Sequence, residues 1–79
     1  MNQADRAKLE RWIESHFESL GDQTTDTAEA LTRQLIAEGW PARGLRLKLS
    51  NLLRLLANSK PWLVRVRNGE YRYVEVTRE

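Results

Sequence analysis

The dipeptide Asn68-Gly69 sits between two alternating runs, Leu63-Val64-Arg65-Val66-Arg67 and Glu70-Tyr71-Arg72-Tyr73-Val74-Glu75-Val76. Asn-Gly flanked by alternation is the strongest short-range signal for a β-hairpin, because both residues tolerate the left-handed backbone of a tight turn. The end of this 79-residue chain is therefore a hairpin. A two-residue turn pairs Arg67 with Glu70, Val66 with Tyr71, Arg65 with Arg72, Val64 with Tyr73, and Leu63 with Val74. In that register Trp62, Val64, Val66, Tyr71 and Tyr73 share the core face. Arg65, Arg67, Glu70 and Arg72 share the outer face near the tip. Two arginines directly opposite each other cost about 0.2–1 kcal/mol, and a phosphate held between the two guanidiniums would reverse the sign.

The rest of the chain reads as helix. Leu9, Trp12, Ile13, Phe17 and Leu20 recur at three- and four-residue steps, which predicts a first helix over Ala4–Leu20. Asn2 and Asp5 suit its start and Gly21 its end. Asp26 and Glu29 have capping-box spacing, so a second helix is expected from Asp26 to Gly39, with Ala28, Leu31, Leu35 and Ile36 facing inward. Pro41 disfavours helix at Trp40. A third helix over Gly44–Asn58 follows, with Leu45, Leu49, Leu52, Leu53 and Leu56 on one arc, Leu55 at its edge, and Asn58 closing it in the left-handed region. Thr24-Thr25 is expected to add a very short third strand. The expected fold class is thus α+β: a three-helix bundle with a C-terminal two-stranded hairpin, in one domain over residues 1–79.

Charge is distributed unevenly. Residues 1–42 carry eight acids and four bases, residues 43–60 five bases and no acid, and residues 61–79 four arginines and three acids. An acidic first half and a basic second half suggest a polyanionic partner for the second half. Glu10, Glu14 and Glu18 form a stripe on the first helix, which is either solvated surface or a contact for a basic protein. Leu47, central on the exposed face of the third helix, suits either a thymine methyl or a protein contact.

Other chemistry is not indicated. There is no cysteine and one histidine, His16, so disulfides, cysteine-based zinc sites and a histidine-based catalytic group are not expected. The four glycines are isolated, and none forms a phosphate loop. Trp12, Trp40 and Trp62 are read as packing between elements. No cofactor, no metal and no enzymatic activity are expected. No apolar run suits a bilayer and no signal-peptide pattern is visible, so the expected location is cytoplasmic.

Helix, loop, helix, short turn, helix, hairpin resembles the order of the winged helix-turn-helix superfamily, over residues Ala4 to Val76. The resemblance implies a DNA-binding protein acting in transcription regulation. It implies that Gly44–Asn58 enters the major groove and that Val66–Tyr71 is the tip of the wing. Arg43, Arg46, Ser50, Asn51 and Arg54 would then face base edges or nearby phosphates. Lys48, Lys60, Arg65, Arg67 and Arg72 would contact the backbone. A homodimer, joined through Leu63 and Val74 or through the first helix, would enlarge a small footprint. The alternative is a winged-helix module that binds protein, such as an adaptor or a phage- or plasmid-type inhibitor, using Leu47 or the face of Glu10, Glu14 and Glu18.

Overall fold

A computed structural model describes residues 3–76. The elements run α1 (Gln3–Leu20), β1 (Thr25–Thr27), α2 (Ala28–Ala37), α3 (Leu45–Ser59), β2 (Leu63–Arg67) and β3 (Glu70–Tyr73). The fold is α+β: three helices and one antiparallel sheet with strand order β1-β3-β2. The short strand expected near Thr24-Thr25 is present as β1, over Thr25–Thr27, and it joins the sheet by pairing with β3.

Helix boundaries follow local chemistry. α2 is capped by Thr27, not Asp26: the Thr27 hydroxyl accepts from the Ala30 backbone N–H at 3.1 Å. Asp26 is drawn into β1, and its carboxylate is used elsewhere. Gly39, at φ 105°, closes α2. The Gly39 N–H donates to the Ile36 carbonyl and the Trp40 N–H to that of Leu35, which satisfies two orphan acceptors at the helix end. The expected left-handed close of α3 at Asn58 does not form. Asn58 stays helical, and extended backbone at Lys60, just before Pro61, stops the helix. Of the caps expected for α1, Asp5 lies within its first turn and Asn2 lies outside the described residues.

The helices bury the expected stripes. Leu9, Ile13 and Phe17 of α1 meet Ala28, Leu31 and Leu35 of α2 and the five arc leucines of α3 in one core. Leu20 and Ile36, expected inside, are exposed at their helix ends. The tryptophans join elements, as expected. The Trp12 indole N–H donates to Glu38, Lys8 lies over the Trp40 ring, and Trp62 packs near Tyr73.

The hairpin departs from the expected register, and the turn explains why. A two-residue turn of the favoured type needs positive φ at both central residues. Here Gly69 has φ 82°, whereas Asn68 is not among the residues with positive φ. Such a turn closes with a bulge. Arg67 still pairs with Glu70, but Arg65 pairs with Tyr71, Val64 with Arg72, and Leu63 with Tyr73. One residue, Val66, is the excess. Because side chains alternate, the slip turns β2 over. Leu63 goes into the core at 1% exposure, while Val64 and Val66 are left at 37% and 41%. The Arg65–Arg72 pair does not exist: the two residues lie on opposite faces of the sheet.

Two substitutions check this register. Leu63→Ala is expected to cost about 2–5 kcal/mol, as for a buried leucine. Val64→Ala is expected to stay within about 0.5 kcal/mol, as for a surface site. Urea denaturation midpoints of both variants separate the two registers, since the alternative reverses the order.

Candidate nucleic-acid interface

Between Glu38 and Glu70 the chain has no acid. The fold turns that run into one surface made of the turn before α3, the outward face of α3, and β2. α3 directs its leucines inward, so its polar residues have a single direction left. Arg46, Leu47, Lys48, Asn51 and Arg54 are exposed, and Ser50 is half-buried. Arg43 lies in the turn ahead of the helix and is also exposed. That turn depends on Gly44, which precedes α3 at φ 69° and offers no side chain as a cap. Asn51 and Lys48 border a groove of about 250 Å³ between α1 and α3, with Leu52, Leu55 and Arg6.

The hairpin arginines are placed unequally. Arg65 is opposite Tyr71, on the inner face of the sheet, and its guanidinium donates to the Asn68 side-chain oxygen at 3.3 Å. Arg67 is ion-paired with Glu70 at 2.7 Å. Arg72 lies between Thr25 and Val64 on the outer sheet face, with its Nε enclosed and without a hydrogen-bond partner. Lys60 is turned toward Glu10 of α1 at 3.9 Å. The structure therefore brings Arg43, Arg46, Ser50, Asn51, Arg54 and Arg65 to one side, with Arg67 at the hairpin tip. It sends Arg72 and Lys60 elsewhere. The Arg67–Glu70 pair was expected from the turn, whereas Asn68 was read only as a turn residue and its hold on Arg65 was not foreseen. The only signal for that contact was a three-residue spacing across the turn.

Two tyrosines on β3 record how charge is segregated. Burial raises the Tyr71 phenol above its ordinary value near 10, while the guanidiniums of Arg65 and Arg54 act to lower it. Burial also raises the Tyr73 phenol, and there Glu18, Glu75, Glu14 and Asp22 add to the rise. Two residues along one strand, the surroundings change from cationic to anionic. Arg54 of α3 and Arg65 of β2 thus converge near Tyr71. Glu14 and Glu18 of α1 gather with Glu75 around Tyr73 and Trp62 at the other end of the sheet, whereas Asp5 of α1 lies beside Arg43 and Lys48.

His16 serves the framework. Its ring stacks on Trp12 with centroids 5.0 Å apart, and its Nε2 is 3.0 Å from an oxygen of Asp26. This ties α1 to β1. Among the described residues no group of histidine, aspartate and glutamate is placed to hold a metal, and no helix is long and apolar enough to cross a membrane. Comparison with protein-family models, curated proteins and solved structures gave no match.

The tyrosine surroundings give a pH prediction. The folded state holds the Tyr71 proton more tightly than the unfolded state, whose phenol ionises near 10. Stability from this group is complete below that pH and is lost as pH rises through it toward the folded value. Tyr71→Phe is expected to flatten the alkaline fall in stability, measured by urea unfolding across a pH series.

Proposed function

We propose that the chain is a small winged-helix DNA-binding protein, probing the major groove with α3 and the neighbouring backbone with the hairpin. The element order and the β1-β3-β2 sheet suit that fold. The observation that carries the reading is the segregation of charge: an acid-free α3 and β2 on one side, with Arg54 and Arg65 converging at Tyr71, and Glu14 and Glu18 of α1 at the far end of the sheet. A polyanion approaching the first surface meets cations and polar amides, while the second would repel it. Arg43, Arg46, Asn51 and Arg54 stand where base edges or phosphates would be reached. Arg65 and Arg67 supply backbone contacts at the hairpin. A role in transcription regulation in the cytoplasm would go with such a surface; Leu63, expected at a homodimer contact, is buried at 1%, so a homodimer would be joined through Val74 or the first helix.

One observation favours a second reading, a protein-interaction module. Leu47 is 69% exposed, and Leu55 opens onto the groove beside α1. Both could seat an apolar side chain from a partner. A stoichiometric protein partner that survives nuclease treatment would support this reading.

Gel retardation of mixed duplex DNA across a salt series decides between them. Affinity is expected to fall steeply with salt, in proportion to the phosphates neutralised. Arg65→Ala should weaken binding to all sequences alike and lower the salt slope by about one. Arg72→Ala should do much less, because that side chain is on the other sheet face. Arg54→Ala should relax sequence preference. Absence of retardation at low salt would sink the proposal.

A further inference from the structure

The outward meridian of α3 has an order of its own. Leu47, Asn51 and Arg54 follow at steps of four and three residues, so they share one stripe opposite the buried leucines. All three are exposed, and Leu47 is the most exposed large apolar side chain of the described residues at 69%. No acid lies within four residues of any of the three along the helix. The stripe is thus an apolar group, an amide and a guanidinium, in that order from the helix start.

Each group matches one edge pattern in the major groove. An apolar side chain suits the thymine C5-methyl. An amide forks onto adenine N6 and N7, and a guanidinium onto guanine O6 and N7. Helix rise sets their separations along the axis at about 6 Å from Leu47 to Asn51 and about 4.5 Å from Asn51 to Arg54. Base pairs repeat about every 3.4 Å. The three side chains therefore address different base pairs, spread over about three steps.

We infer that Leu47 is a specificity-determining residue that contacts a thymine methyl, and that the preferred duplex sets this thymine within one or two steps of an adenine read by Asn51, with a guanine beyond it at Arg54. This inference rests on the DNA-binding reading and narrows it to a class of sequence. Leu47 here supplies discrimination rather than affinity, since it carries no charge for the phosphates.

The test begins with wild-type protein and a pool of randomised duplexes, from which the bound sequences are recovered. Deoxyuridine then replaces thymidine at single positions of the recovered site, which removes only the methyl group. At one position the wild type is expected to lose about fourfold in affinity, the worth of one buried methyl-sized group. Leu47→Ala should bind the thymine and uracil duplexes equally, with thermal unfolding and salt slope unchanged. Asn51→Ala should lose about tenfold, confined to an adenine one or two steps away. If the duplex is bound but no uracil substitution separates wild type from Leu47→Ala, this inference is overturned while the DNA-binding reading survives. A Leu47→Ala protein that keeps its thymine preference but changes its mass in solution also overturns it, and assigns Leu47 to a protein contact. If no duplex is recovered, both fall together.

Discussion

Everything in the molecule is keyed to the middle strand. β3 is four residues long, yet it pairs with β1 on one side and β2 on the other. Its inward residue Tyr71 is 1% exposed, and it stands in a row with Asp26 of β1 and Arg65 of β2. Asp26 holds His16 of α1, and the Gly69 carbonyl accepts from Ala28 at the start of α2. The C-terminal hairpin is thereby fastened to the α1–α2 connection, about fifty residues earlier in the chain. In so small a protein, a core of leucines alone would leave the helices free to slide. The sheet fixes their relative placement with directional bonds.

That fastening decides where the cations end up. Because β2 runs along the edge and packs beside α3, an arginine on its inner face emerges next to the helix rather than behind the sheet. Arg65 is such a residue and Arg72 is not. The two differ by one step of alternation in the observed register, and the difference assigns one to the α3 side and the other to the outer sheet face. Charge at the far end is equally directed. Asp22 accepts from the Glu75 backbone N–H at 2.7 Å, which holds Glu75 close to Glu14 and Glu18.

The helices were legible because their signal is redundant. Eleven of the core positions lie on three periodic stripes, and a wrong choice at any one would leave the face unchanged. Leu20 and Ile36 went astray because they sit where the helices end and nothing covers them. The hairpin was legible as a hairpin, but its register was not. Leu63-Val64-Arg65-Val66-Arg67 offers an apolar residue in either parity, so alternation cannot choose between faces. The decision lies in one backbone angle at Asn68, and the pair Asn-Gly permits both solutions. The candidate interface inherited this uncertainty. The α3 residues were read from their helix, whereas Lys60 found Glu10 and Arg65 the inner sheet face, which only the folded chain defines.

The bulge at Val66 has one more consequence. Both outer strands leave unpaired backbone groups at the rim of the sheet, where another chain could extend it. β1 is three residues long, and β2 is twisted out of a regular ladder at Val66 with Arg65 and Arg67 beside it. A strand from a second molecule would find a short rim at β1 and a bent, positively charged one at β2. The same turn that carries Arg65 to the helix side thus guards the protein against edge-to-edge aggregation.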